Sequence, residues 1–170
     1  MSSLHTPKQN LFLATLPENA YERMKSCLEP VCLPQGWVVY ENGGEPDMVY
    51  FPTTSVISLL TRTSGGTPAK IAVIGNEGVF GISMLPGQKK TLDRAVVQSA
   101  GYGYRLKAVH LRKEFELGGP LRYLLQRYTQ TLTAKIVQSL AAIDSGSTAA
   151  STAKAILVES IPSLPNAVIQ

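Results

Sequence analysis

Histidine and cysteine are scarce in this chain of 170 residues, with two of each. A metal centre in a strand-rich protein draws on two or three imidazoles and a carboxylate converging from neighbouring strands. His5 lies in the N-terminal arm and His110 in a stretch of helical character, so no metal site is expected. Neither cysteine has a histidine near it in sequence, and no serine stands in the G-x-S-x-G pattern of a nucleophile elbow. With no acid–base pair assembled either, catalytic residues are not expected and the chain reads as a non-enzyme. Cys27 and Cys32 are too few for a disulfide framework, which fits reduced thiols in a cytoplasmic protein. The four-cysteine arrangement of an iron–sulfur protein is absent as well.

Charge of one sign is also in short supply. The net charge is +4, and the basic residues are dispersed: Lys89 and Lys90 together, Arg122 and Arg127 on a helical stretch, Lys154 by itself. A dedicated nucleic-acid binder gathers such residues into a stripe, so basicity alone does not specify DNA. No apolar run approaches the roughly 20 residues that cross a bilayer. The opening "MSSLHTPKQNLFLATLP" has only Lys8 ahead of a short apolar patch and no small-residue cleavage site, so neither signal peptide nor membrane partner is expected.

What is abundant is short apolar runs broken by turn residues. "PENAYERMKSCL" (17–28) predicts a helix: Pro17 suits its first position, and Tyr21, Met24 and Leu28 recur at helical spacing. From Val31 to Leu106 follow "VCL", "WVVY", "MVYF", "SVISLLTRT", "KIAVIG", "RAVVQS" and "YGYRL", separated by turns such as "ENGGEPD" and "SGGTPA". Strands at this spacing indicate an antiparallel sandwich or barrel. From Lys107 the helical period returns. "LKAVHLRKEFELGG" gives a short helix stopped by Gly118 and Gly119, and Pro120 opens a longer one. In the longer helix Leu121, Leu125, Tyr128, Leu132, Ile136, Leu140 and Ile143 form one apolar stripe. Small residues dominate from Asp144 onward, and the period is lost.

The stretch "GNEGVFGISMLPGQKKTLDRAVV" (75–97) admits two readings. Consecutive backbone N–H groups of a glycine-rich turn can cradle an anion, with the Arg94 fork as its counter-charge. Equally, Gly75, Gly78, Gly81 and Gly87 serve ordinary turns and Arg94 is an edge charge.

The order of these elements, with "NLFLATLP", "LEPVCLPQGWVVYENGGEPDMVYFPTTSVISLL", "GNEGVFGISML" and "RAVVQSAG", resembles the sensory domain of Crp/Fnr transcription regulators over residues 10 to 142. The resemblance implies a mainly β fold with flanking α: a jelly-roll (double-stranded β-helix) of the cyclic nucleotide-binding type over 10–118, followed by a dimerisation helix at 120–143. The remainder, 144–170, is an atypical tail. It implies a homodimer joined through Leu121, Leu125, Tyr128, Leu132, Ile136 and Leu140, the stripe a parallel coiled coil needs. It also implies a ligand site of Gly81, Ile82, Ser83, Arg94 and Ala95, for a nucleotide-like or other small effector.

Two departures stand out. Where the family pattern follows its glycine with a ribose-binding glutamate, this chain has Ile82, which accepts no hydrogen bond. A sugar hydroxyl left unpaired there costs about 1–3 kcal/mol, so tight cyclic AMP binding is not expected. The family's winged helix-turn-helix has no counterpart after Leu140, where Lys154 is the single cation. DNA is then reached indirectly, through heterodimers with full-length regulators, in a truncated or frame-shifted form. The alternative reading is a stand-alone β-roll that binds a small molecule or protein and has no part in transcription.

Overall fold

A computed structural model describes residues 5–41, 47–81 and 94–144. Its helices are α1 (Leu11–Thr15), α2 (Glu18–Lys25), α3 (Ala108–Glu116) and α4 (Pro120–Asp144). Its strands are β1 (Glu29–Leu33), β2 (Val38–Glu41), β3 (Met48–Pro52), β4 (Val56–Arg62), β5 (Pro68–Ile74), β6 (Arg94–Ser99) and β7 (Gly101–Lys107). Every apolar run read as a strand is one.

All pairings are antiparallel. One sheet has the order β1-β7-β3 and the other β2-β6-β4-β5. Strands distant in sequence are neighbours in each sheet, the crossed order of a jelly roll, and the long helix follows C-terminal to them. β4 and β5 form the expected hairpin, its tip turning at Gly66 with φ +79°.

Alternation turns one face of each sheet inward. Leu33, Phe51, Ile57, Val79 and Ala95 are fully buried, and the apolar atoms divide into two clusters. The first joins Phe12, Leu13, Tyr21 and Met24 of the N-terminal helices to Val49, Phe51 and Leu106 of the three-stranded sheet and to Leu121, Leu124 and Leu125 of α4. The second lies under the four-stranded sheet and holds Ile57, Leu59, Ile71, Ile74, Phe80, Ala95 and Val97. Burying one such side chain stabilises the fold by about 1.5–3 kcal/mol.

Helix α1 was not anticipated. Its cue is Asn10, whose side-chain oxygen accepts from the Leu13 N–H and caps the helix. The amide end of Asn10, fully buried, donates to the carbonyls of Pro52 and Gly78, 2.9 Å each. One residue thus ties the N-terminal segment to β3 and to the turn after β5. Gly118 and Gly119, at φ +73° and +82°, end α3, and Pro120 starts α4.

The long helix packs on the chain's own core along its proximal half. Leu121 and Leu125 are 1% and 0% exposed, packed in the subunit's own first cluster, and Tyr128 is partly buried against it. Leu132, Ile136, Leu140 and Ile143 are half-buried over the second. Leu121 and Leu125 of the stripe read as a seam with a second copy are therefore covered by the chain itself, while its distal residues keep part of their surface exposed. An apolar stripe records only that a surface covers it, whether that surface belongs to the same chain or to another.

Candidate functional site

The expected ligand site falls around the turn Gly75–Gly81 and the start of β6. The turn is closed by the Gly78 N–H donating to the Gly75 carbonyl at 3.2 Å, while Glu77 folds back to accept from the Gly75 N–H at 3.1 Å. Leu11 N–H donates to the Asn76 carbonyl at 2.7 Å, so α1 grips the turn from outside. Phe80 and Tyr50 exchange both backbone hydrogen bonds at 2.9 Å, pinning the end of the turn to β3.

Gly81 follows with φ +102°. A Cβ there would sit 2.7 Å from the Met48 carbonyl oxygen, so conformation and space both demand glycine. Ile82 and Ser83 lie outside the described residues.

At the start of β6, Arg94 and Ala95 face opposite ways. Ala95 is fully buried in the second cluster. Arg94 stands opposite Glu41 of β2 at the sheet rim, its Nε 3.5 Å from Glu41 Oε1, both side chains largely exposed. The guanidinium is thus already faced by a carboxylate of the same chain. Phe80, next to Gly81, and Ala95, next to Arg94, belong to one apolar cluster, which Val39, Tyr40, Met48, Ile136 and Leu140 partly line. The glycine and arginine segments thus share one apolar cluster through Phe80 and Ala95, and the distal half of α4 packs against that cluster.

The sequence reading missed the contact between α4 and the turn. Tyr128 projects from α4 so that its hydroxyl lies against Gly78, and a methyl group built on that glycine would collide with the oxygen. Burial raises the Tyr128 phenol pKa, opposed by the Val79 backbone N–H that hydrogen-bonds to it. Two turns of helix beyond, burial lowers the Lys135 pKa while the Glu77 carboxylate opposes this. The signal was present as the pair Gly78 and Tyr128, but 50 positions separate them and only the fold makes them neighbours.

The two histidines are far apart in role. His5 stacks on Tyr104 with ring centroids 5.0 Å apart and bonds to Thr53, whereas His110 is half-exposed on α3. Among the described residues no group of three potential ligands could hold a metal ion, and no helix is long and apolar enough to cross a membrane. Cys27, just after α2, packs partly against the first cluster, and Cys32 on β1 is exposed.

No protein-family model matches the chain, and no curated protein matches it. Solved structures do match. A protein described as a Crp/Fnr-family transcriptional regulator from Eubacterium rectale superposes with TM-score 0.67 at 8% identity, covering 80% of this chain and 64% of that one. A protein described as cyclic nucleotide-binding, from Geobacter metallireducens, gives TM-score 0.58 at 16% identity, covering 79% and 98%. The regulatory subunit of a cAMP-independent protein kinase A from Trypanosoma cruzi, bound to guanosine, gives 0.62 at 16%, covering 81% and 47%. The chain also spans 44% of the corresponding Trypanosoma brucei subunit. Identities this low establish the fold: a cyclic nucleotide-binding-like domain, of the kind found in Crp/Fnr regulators and kinase regulatory subunits.

Proposed function

We propose that this chain is the effector-sensing and dimerisation domain of a Crp/Fnr-type transcription regulator, and that its effector is not cyclic AMP bound tightly. The observation that carries the reading is the seating of α4. Its distal half packs against the apolar cluster that contains Phe80 and Ala95, the chain neighbours of Gly81 and Arg94, so a ligand that disturbs that cluster disturbs the helix. Glu41 beside Arg94 and Ile82 in place of a ribose-binding carboxylate both weigh against a cyclic nucleotide. A nucleoside-like or largely apolar effector suits the apolar neighbours Val39, Tyr40, Met48 and Ile136, which pack against that cluster, better. The guanosine held by the Trypanosoma cruzi relative makes guanosine a rational first probe.

Dimerisation in this reading uses the outward face of α4. Tyr123, Gln130, Ala134, Val137 and Ala141 recur at heptad spacing, and Tyr123 and Val137 are 47% and 58% exposed. Ala134 and Ala141 would let two helices approach closely, with Val137 between them.

Calorimetry with cyclic AMP, cyclic GMP and guanosine tests the ligand reading. Cyclic nucleotides should bind no tighter than about millimolar, an affinity of about −4 kcal/mol. Micromolar binding of cyclic AMP, abolished by Arg94→Ala, would overturn it. Sedimentation tests assembly: Val137→Asp should yield a monomer from a dimeric parent, and a monomeric parent would remove the dimer. Recovery of promoter DNA together with a full-length regulator supports the role in transcription. Recovery of partners unconnected with DNA favours a stand-alone binding module.

A further inference from the structure

We infer that Tyr128 is a positioning residue that latches the Gly75–Gly81 turn to the long helix, so that the state of the turn and the seating of α4 change together. The inference deepens the proposed sensing role and rests on that reading for its biological meaning. The latch itself is a property of the fold.

Four observations converge on it. The Tyr128 hydroxyl occupies the space a Cβ on Gly78 would need, so helix and turn meet without a side chain between them. The Val79 N–H bonds to that hydroxyl. The ring is held edge-on by Phe12, with centroids 6.1 Å apart at 65°, and so cannot swing away without disturbing α1. The turn is rigidly continued in the other direction: Asn10 holds the Gly78 carbonyl, and Phe80 is bridged to Tyr50. Gly81, where the backbone enters its left-handed conformation, follows directly.

Packing of this density transmits displacement rather than absorbing it. A shift of the turn that moves Gly78 outward releases the hydroxyl, and α4 loses that contact with the turn. A shift inward drives Gly78 against the phenol oxygen and pushes the helix. Beyond Tyr128 the helix is only half-buried, so it can follow.

The chain carries its own reporter. Trp37, the single tryptophan, stands T-shaped on Tyr50 at 6.0 Å and 83°, and Tyr50 pairs with Phe80 of the turn. Its emission reads the turn, and amide hydrogen exchange along 132–143 reads the helix.

The first experiment needs no ligand. In Tyr128→Phe, exchange within 75–81 and within 132–143 should accelerate together, by about tenfold, with β1 and β7 unchanged. Acceleration in one segment alone, in neither, or uniformly through the sheets would overturn the latch. Gly78→Ala provides a second route. It should perturb α4 exchange, and adding Tyr128→Phe should relieve part of that perturbation. Strictly additive effects would show that the two residues do not act on each other.

The second experiment uses guanosine at millimolar concentration as probe. The latch requires that a change in Trp37 emission be accompanied by a change in α4 exchange, and that Tyr128→Phe keep the first while losing the second. An emission change with no helix response in the parent overturns the latch. An unresponsive Trp37 counts against the ligand reading for this probe, and the ligand-free exchange then decides the latch alone.

Discussion

The two halves of the long helix carry the same apolar stripe and are treated differently by the fold. In the proximal half Leu121, Leu124 and Leu125 are at most 4% exposed, wedged between the N-terminal helices and the three-stranded sheet. In the distal half Leu132, Ile136, Leu140 and Ile143 lie half-buried on the cluster beneath the four-stranded sheet. The proximal half is part of the core and the distal half is a cover on it. Burial energy scales with the apolar area removed from water, so the cover is the cheaper part to displace. A signal reaching this domain would therefore move the distal half, with Tyr128 at the boundary.

The largest expected effect tests the fixed half. Leu125→Ala should lower unfolding free energy by about 2–5 kcal/mol in urea titration, since a fully buried leucine leaves a cavity. Leu140→Ala, on the cover, should cost about 1 kcal/mol or less, scaled down with its partial burial. Equal losses at the two sites would erase the distinction between core and cover.

Next is Asn10→Ala, which strands the carbonyls of Pro52 and Gly78 and uncaps α1. A loss of about 1–3 kcal/mol is expected, with faster exchange in the turn, because buried acceptors left unpaired keep their full desolvation penalty. A neutral outcome would mean that water replaces the amide.

A smaller effect appears in alkali. The Tyr128 phenol is raised above its ordinary 10.0 in the folded state, so the unfolded chain ionises first. Its contribution is complete below pH 10.0 and is lost as pH climbs beyond it. Tyr50 and Tyr104 are raised too and add to the same decline. Tyr128→Phe should flatten part of the loss above that pH, and an unchanged slope would place the hydroxyl in contact with water.

The smallest effect is at the rim. Glu41→Gln removes the carboxylate facing Arg94 and should shift stability by less than about 1 kcal/mol, as exposed pairs contribute little. Thermal melting that changes by more would mean the pair is held more firmly than its exposure implies.

Much of this architecture was legible residue by residue. The seven apolar runs became seven strands because alternation and turn residues are local properties, and "LGGP" marked the break between α3 and α4. Asn10 showed its capping side chain in the sequence, but α1 spans only five residues, too short for a period to reveal it. Of the candidate site, Gly81 announces itself through its left-handed backbone and the Met48 carbonyl pressed against it, facts of contact. Arg94 was legible as a charge in an apolar strand, and its pairing with Glu41 was not, because strand register decides it.

Composition and periodicity by themselves determined that this chain is a strand-rich domain with a long amphipathic helix. Only the tertiary structure decided what that helix leans on. A stripe of leucines states that apolar surface must be covered, and water exclusion is non-directional, so it is silent on which surface does the covering. The choice of the subunit's own two clusters, and the lodging of Tyr128 against Gly78, follow from the three-dimensional arrangement of residues far apart along the chain.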